Sequence, residues 1–178
     1  MNDLNEFLQA GGVIAFPTDT VWGFGALPNE VGANALFEIK NRPHEKHFII
    51  MSDSLEHLRP HMFDFSPLAF DLAKKYFPGA LTIVGNEDPT FGSVRIPNNK
   101  NFWEICKAVD GHCLATSSAN ISGEPVCESA DEIREKFPTV RIIGDINFKP
   151  TGIASTVIKV VGNEIKILRQ GAVKIPIY

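Results

Sequence analysis

The sequence predicts an α/β fold of the α+β type, in which helices flank a mixed β-sheet. Helical and strand patterns alternate along the chain, yet several strands follow one another with no helix between them, which a regular βαβ repeat would not give. The 178 residues, 44% hydrophobic and 21% charged, have the composition of one ordinary globular domain. We therefore predict a single domain spanning residues 1–178.

The first half of the chain shows clear element signals. Leu4, Phe7 and Leu8 have helical spacing, and Gly11-Gly12 ends that helix. Apolar runs broken by turn residues indicate the strands. The next elements are predicted as strands at Val13–Phe16 and Val21–Ala26, a helix at Glu30–Ile39 and a strand at His47–Ser52.

In the second half, Ser66-Pro67 is an N-cap followed by a proline at the first helical position, which predicts a helix ending near Phe77. Gly162-Asn163 is a hairpin turn signal, and Ser117–Asn120 favours a loop. The remaining elements are predicted as strands at Leu81–Gly85 and Gly92–Ile96, a helix at Asn98–Val109, a strand at Leu114–Thr116, a helix at Ser129–Phe137, and strands at Val140–Ile143, Thr156–Val161 and Glu164–Leu168.

Composition excludes several classes of protein. The net charge of −4 argues against binding nucleic acid by general electrostatics. Three cysteines without a C-x-x-C pair predict thiols rather than disulfides or a zinc knuckle. The chain shows neither a signal-peptide pattern nor a stretch long enough to cross a membrane, so we expect a cytoplasmic protein.

Standard catalytic and metal motifs are absent. Gly23-Phe24-Gly25 begins a dinucleotide fingerprint that Pro28 breaks, and there is no Walker A or G-x-S-x-G sequence. His44 and His47 are three residues apart, which is not the zinc-protease spacing. We predict no protein-bound metal ion.

His57 and His61 have a helical spacing that Pro60 interrupts. We expect both to be surface histidines.

Positive charge is concentrated in one short segment. Lys40, Arg42 and Lys46 lie within eight residues, together with His44 and His47. Lysine and arginine are the residues that hold polyphosphates and neutralise charge at phosphorus. The alternative is a solvated basic loop, and composition alone does not decide between the two.

Polar residues also follow predicted strands, where α/β proteins place ligand contacts. Pro17–Thr20 and Ser117–Gly123 either cap backbone groups or orient a small polar substrate. Arg95, within an apolar frame, requires an anionic partner if buried, either a structural carboxylate or a ligand. Arg169, at the end of the last strand, raises the same alternatives.

Taken together, these segments resemble the YrdC-like family of threonylcarbamoyl-AMP synthases, specifically its short single-domain bacterial form. The resemblance covers nearly the whole chain. It depends on seven motifs in register, namely Gly12–Gly25, Lys40-x-Arg42-Pro43, Phe77–Thr82, Val94–Pro97, Ser118-Ala-Asn-x-Ser-Gly123, Ser155–Val157 and Leu168-Arg-x-Gly171.

The resemblance implies a twisted sheet with a concave basic groove and a nucleotidyltransferase activity. The enzyme would make L-threonylcarbamoyl-AMP and pyrophosphate from L-threonine, bicarbonate and ATP, with Mg²⁺ accompanying the ATP. A tRNA threonylcarbamoyl transferase complex would use the product to modify tRNA.

The resemblance also implies residue roles. Lys40 and Arg42 would serve catalysis by meeting the ATP phosphates. The full ATP-binding set would be Lys40, Arg42, Lys46, Ser118, Asn120, Ser122 and Arg169. The threonine-binding set would be Thr20, Arg95, Thr116 and Ser155. The chain departs from common family residues at His47, Met51, Ala80, Ser117, Val126 and Ala154, beside these contacts.

Two other functions remain open. The first is a non-catalytic protein that binds double-stranded RNA or ribosome precursors through the groove, against which the net charge of −4 counts. The second is a carbamoyl-transfer module like those of hydrogenase-maturation proteins, which are parts of much longer chains.

Overall fold

The computed structural model describes residues 2–41, 47–85, 88 and 90–176. Nine strands and six α-helices occur in these residues, with short 3₁₀ turns at Arg59–Met62 and Asp110–His112. The helices are α1 (Asn2–Gln9), α2 (Glu30–Ile39), α3 (Leu55–Leu58), α4 (Pro67–Tyr76), α5 (Lys100–Lys107) and α6 (Ala130–Lys136). The strands are β1 (Ile14–Pro17), β2 (Trp22–Ala26), β3 (Ile49–Ser52), β4 (Leu81–Val84), β5 (Ser93–Arg95), β6 (Cys113–Ser118), β7 (Arg141–Ile142), β8 (Thr156–Val161) and β9 (Glu164–Arg169).

All nine strands form one mixed sheet in the order β7-β1-β2-β6-β3-β5-β4-β8-β9. Three neighbouring pairs are parallel, namely β1 with β7, β3 with β5 and β4 with β8. The other pairs are antiparallel. The fold class predicted from the sequence, a mixed sheet flanked by helices, is therefore confirmed.

The two faces of the sheet are covered differently. Alternate strand residues point to opposite faces, and the larger core cluster combines one set of them with apolar side chains from α2, α4 and α6. A second cluster packs Leu8 of α1 and Phe102 of α5 against Ile14, Phe16 and Leu114. Helices thus lie on both faces.

Most element predictions agree with the structure. Helix α2 has the predicted bounds, and the side chain of Asn29 caps it by accepting a hydrogen bond from the Gly32 amide. Strand β6 is longer than predicted, because Ser117 and Ser118 pair with Phe24 and Gly23 in the sheet. The predicted loop therefore begins after Ser118.

The sequence analysis missed α3, which the side chain of Ser54 caps by accepting from the amide of His57. The helix has only four residues, too few for a periodic pattern. His57 is partly exposed, and it contacts Asp53 and His112 rather than solvent alone.

Among the described residues, no helix combines the length and the hydrophobicity that a membrane crossing requires.

Candidate active-site cleft

A cleft of about 690 Å³ lies on one face of the sheet. Side chains on every second residue of the strands form the floor of this cleft. Val94 and Ile158 enter the apolar core beneath the helices, whereas Arg95 and Val157, their neighbours in sequence, line the cleft. The same alternation applies in β3, where Ile50 is in the core and Met51 lines the cleft. The period of two residues therefore separates the core from the candidate site.

The cleft brings together every described residue that the sequence analysis assigned to the site. Arg42 and Lys46 lie outside the described residues. The nine that line the cleft are Thr20, Lys40, Arg95, Thr116, Ser118, Asn120, Ser122, Ser155 and Arg169. Eight of them form two walls, which we call the arginine wall (Thr20, Arg95, Ser155 and Arg169) and the lysine wall (Lys40, Ser118, Asn120 and Ser122).

Arg95, at the end of β5, is the centre of the arginine wall and is only 2% exposed. Its Nε donates to the Gly79 carbonyl at 3.0 Å and its Nη1 to the Thr20 hydroxyl at 2.9 Å, while Nη2 pairs with the Asp19 carboxylate. Burial lowers the pKa of Arg95 to about 10, although Asp19 opposes this and Arg169 adds to it. The guanidinium therefore stays cationic at neutral pH, and Asp19 is the structural partner that the sequence left open.

The turn between β1 and β2 positions the Thr20 hydroxyl. The Thr18 hydroxyl donates to the Val21 carbonyl at 2.7 Å and accepts from the amides of Thr20 and Val21. The Thr18 and Thr20 hydroxyl oxygens are 3.1 Å apart. Because the turn is held by its own side chain, Thr20 reaches the Arg95 guanidinium in a fixed orientation.

Ser155, just before β8, contacts both Thr82 of the neighbouring strand and Arg169 of the arginine wall. Its hydroxyl is 2.8 Å from that of Thr82 in β4 and accepts from Nη2 of Arg169 at 3.2 Å. Arg169 also donates from Nε to the Ser155 carbonyl at 3.1 Å. Burial lowers the pKa of Arg169. A second guanidinium is thus fixed beside the first.

Gly171 allows this arrangement by its lack of a side chain. A Cβ at this position would lie 2.2 Å from the Ala154 carbonyl oxygen and 2.5 Å from the carbonyl carbon of Ser155. The chain after β9 therefore approaches the Ser155 segment more closely than any other residue allows.

The lysine wall is a loop wrapped around one ammonium group. Lys40 follows α2 and is 2% exposed. Its Nζ donates to the Ser118 carbonyl, and to the Asn120 carbonyl and side-chain oxygen at 2.8 and 3.1 Å. The Ser122 amide donates to the Lys40 carbonyl at 2.8 Å. Lys40 therefore fixes the shape of the loop as well as lining the cleft.

Asn120 completes that loop. Its Oδ1 accepts from the Ser118 hydroxyl at 2.6 Å, and its Nδ2 donates to the carbonyls of Ile121 and Glu124 at 2.9 and 2.8 Å. All of the amide's polar atoms are engaged, so its role in the structure is to hold the loop rather than to extend freely into the cleft.

The charge of the cleft has one sign. Thr116 contributes a hydroxyl that donates to the Ile49 carbonyl at 2.8 Å, and the cationic side chains are Lys40, Arg95, Lys159 and Arg169. Within the described parts of the chain, the lining contains no carboxylate. Such a surface attracts anions and orients them with hydroxyls and amides, and it matches the basic groove expected from the sequence.

The cleft also contains residues that the sequence analysis did not assign. Thr82 and Lys159 line it from β4 and β8, and only the alternation of those strands could have indicated them. Five of the six departures from common family residues line it as well, namely His47, Met51, Ser117, Val126 and Ala154.

Comparison with known proteins places the chain in a family. A model of the Sua5, YciO and YrdC proteins, described as "Telomere recombination", matches residues 6–171. The chain belongs to the Sua5/YciO/YrdC family.

Curated relatives in this family include a Haemophilus influenzae protein named threonylcarbamoyl-AMP synthase. It is 33% identical over 146 residues, covering 74% of this chain and 79% of the relative. A Klebsiella pneumoniae protein with the same name is 35% identical over 139 residues, covering 70% and 72%. These matches confirm the family resemblance inferred from the motifs.

Solved structures of the same family share the fold. A variant of Pyrococcus abyssi Sua5 superimposes with a TM-score of 0.85 at 31% identity, and Sua5 complexed with L-threonine gives 0.83 at 30%. The chain covers 56% and 53% of those two chains, so it spans little more than half of that relative. Escherichia coli YciO, at 24% identity and a TM-score of 0.76, supports the fold alone.

Proposed function

We propose that this protein is an L-threonylcarbamoyl-AMP synthase. The observation that carries the proposal is the cleft itself, in which nine residues assigned from sequence motifs line one cationic surface. The names of the curated relatives and the threonine complex of Sua5 support the same reaction. The substrates would be L-threonine, bicarbonate and ATP.

In the proposed reaction, the threonine amine combines with bicarbonate to give a carbamate and water. A carbamate oxygen then attacks the α-phosphorus of ATP, and the bond to the β-phosphate breaks to release pyrophosphate. Every reactant carries negative charge, so the cleft must position anions and neutralise them. That task needs no enzyme nucleophile.

The arginine wall fits the threonine. The Arg95 guanidinium would bind the threonine carboxylate, and the Thr20 hydroxyl beside it and the Ser155 hydroxyl on the same wall would orient polar groups. The lysine wall fits the phosphates, and the resemblance adds Arg42 and Lys46, which lie outside the described residues, to the phosphate-binding set. Arg169, next to Ser155, would stand between the two substrates.

Mg²⁺ would enter with ATP rather than as a resident ion. The described lining offers hydroxyl and amide oxygens but no carboxylate, and Mg²⁺ is commonly bound through substrate phosphates. When bound, the ion would neutralise charge on the triphosphate. A tRNA threonylcarbamoyl transferase complex would consume the product.

The test is pyrophosphate release by the purified protein with ATP, bicarbonate and Mg²⁺. L-Threonine is compared with L-serine, L-valine and no amino acid. We expect release that requires both threonine and bicarbonate. ATP binding without threonine-dependent release would overturn the proposal.

A second assay separates the synthase from an RNA-binding protein. Arg42→Ala removes one cation of the phosphate motif. A synthase would lose turnover severely, whereas a groove that binds RNA would lose only about one unit from the salt dependence of its RNA affinity. Full turnover in the variant would show that the site assignment is wrong.

A further inference from the structure

A second cluster of functional side chains lies outside the cleft, where β3 ends and β6 begins. Asp53, His57 and His112 each offer one potential ligand atom, and these atoms lie within 4.8 Å of one another. None of the three lines the cleft. The reaction proposed above makes no use of them.

One carboxylate faces both imidazoles. Nδ1 of His57 is 2.7 Å from Oδ1 of Asp53, and Nδ1 of His112 is 3.4 Å from Oδ2. The two rings stack with their centroids 4.0 Å apart. The Asp53 side chain is 8% exposed, whereas each histidine side chain is 36% exposed. The carboxylate is therefore enclosed, and the imidazole side remains open to solvent.

Contacts outside the cluster hold one imidazole and the backbone of both histidines in place. Ser54 Oγ lies 2.9 Å from Nδ1 of His57, and Sγ of Cys113 donates to the His57 carbonyl at 3.3 Å. Ser52 Oγ donates to the His112 carbonyl at 2.8 Å. Three segments of chain are thus fixed around one point, as preorganised ligand sites require.

One of the two carboxylate–imidazole distances fits a shared ion, and the other is that of a hydrogen bond. The 3.4 Å separation of His112 from Asp53 is long for a hydrogen bond. It matches the roughly 3.3 Å that separates two ligands of a tetrahedral ion with bonds of about 2.05 Å. The 2.7 Å separation of His57 from Asp53 would open by roughly 0.6 Å to reach the same value.

We propose that Asp53, His57 and His112 bind one Zn²⁺-type divalent ion, with solvent in the fourth position. Two imidazoles and one carboxylate suit zinc and its transition-metal neighbours, whereas Mg²⁺ prefers oxygen ligands. The ion would tie the end of β3, helix α3 and the start of β6 together. This site is separate from the cleft, where Mg²⁺ is expected to enter with ATP. The proposal departs from the prediction of no protein-bound metal ion.

The test is calorimetric titration of chelator-treated protein with Zn²⁺, accompanied by thermal unfolding with and without the ion. We expect one equivalent to bind, to raise the unfolding temperature, and to resist a large excess of Mg²⁺. His112→Asn should weaken Zn²⁺ binding by at least about tenfold. Asparagine is chosen because His112 has a φ of 54°, a conformation that asparagine tolerates.

His61→Gln is the matched control, because His61 follows the same short helix but lies outside the cluster. It should bind Zn²⁺ like the unmodified chain. His57→Gln provides a second ligand variant if His112→Asn does not fold. The spectrum of the Co²⁺ form should lack a thiolate charge-transfer band, which excludes Cys113 as the ligand.

The proposal is overturned if the unmodified protein shows no saturable Zn²⁺ binding. It is equally overturned if both ligand variants bind with unchanged affinity and stoichiometry. These measurements do not involve ATP or threonine, so they stand independently of the proposed synthase activity.

Discussion

On the arginine wall, a guanidinium is held by side chains and a carbonyl from separate segments, whereas on the lysine wall an ammonium is held by the oxygens of one loop. Arg95 contacts Asp19, Thr20 and Gly79. Lys40 contacts the Ser118 and Asn120 oxygens. On the lysine wall, three oxygens of one loop share a single ammonium group, so one substitution removes three of the loop's contacts at once.

Replacing that single group should have the largest effect. Lys40→Met removes three hydrogen bonds from a buried, charged donor to the loop, so unfolding should become easier by on the order of 3 kcal/mol. Threonine-dependent turnover should fall at least about 100-fold, because the loop contacts and the proposed phosphate contact are lost together. Steady-state kinetics and denaturant unfolding measure both effects.

Lys136→Met, on the exposed surface of α6, is the control and should change neither value appreciably. If Lys40→Met retains normal turnover, the lysine wall is structural only.

A change confined to the arginine wall should affect threonine binding more than ATP binding. Arg95→Lys keeps the charge but loses the planar fork, so the KM for threonine should rise about 10- to 100-fold. The KM for ATP should change little. Initial-rate measurements with each substrate varied in turn distinguish the two, and Arg134→Lys on α6 serves as the matched control. Equal increases in both KM values would mean that the walls do not divide the substrates.

Gly171 tests whether close backbone contact maintains the arginine wall. Gly171→Ala puts a Cβ 2.2 Å from the Ala154 carbonyl oxygen, and relieving this clash should cost about 1–3 kcal/mol of unfolding free energy. Displacement of Ser155 should also raise the KM for threonine.

Gly162→Asn is the control for this substitution. A Cβ at Gly162 would meet no atom within 4 Å, and the residue has a φ of 59°, which asparagine accepts. Equal losses of stability in the two variants would contradict the role assigned to Gly171.

The smallest effect on substrate binding is expected at Asp19, whose carboxylate pairs with the guanidinium that the threonine carboxylate would need. Asp19→Asn keeps an acceptor but removes the competing charge, so threonine should bind about two- to fivefold more tightly. The ligand-free protein should lose about 3 kcal/mol of stability, because the buried arginine loses its counterion. Calorimetric titration with threonine measures the affinity. Weaker binding would mean that Asp19 orients Arg95 and does not compete with the substrate.

Local signals account for what could be predicted. The predicted bounds of α2 agree with the structure, in which Asn29 caps the helix, and Gly162-Asn163 correctly marked the β8–β9 turn. The arginine at the end of β5 was recognisable because a charge in an apolar frame requires a partner. Its partner was not recognisable, since Asp19 is 76 residues away in sequence.

Long-range pairing accounts for what was missed. His112 and Asp53 are 59 residues apart, and they meet only because β3 pairs with β6. Residue spacing within one segment cannot predict a contact between two segments so far apart in sequence. The extension of β6 was missed for the same reason, because pairing with β2 overrode the local loop preference of Ser117 and Ser118.

The sheet order has a consequence for the order in which the two walls form during synthesis. A nascent chain that has reached Glu124 already contains Lys40 and the loop that surrounds it. The arginine wall, by contrast, is incomplete until Ser155 and Arg169 have been synthesised, because β8 and β9 must pair beside β4. Contacts so distant in sequence form late. The residues of the lysine wall are therefore all synthesised before the arginine wall is complete, so the arginine wall is the later of the two to form.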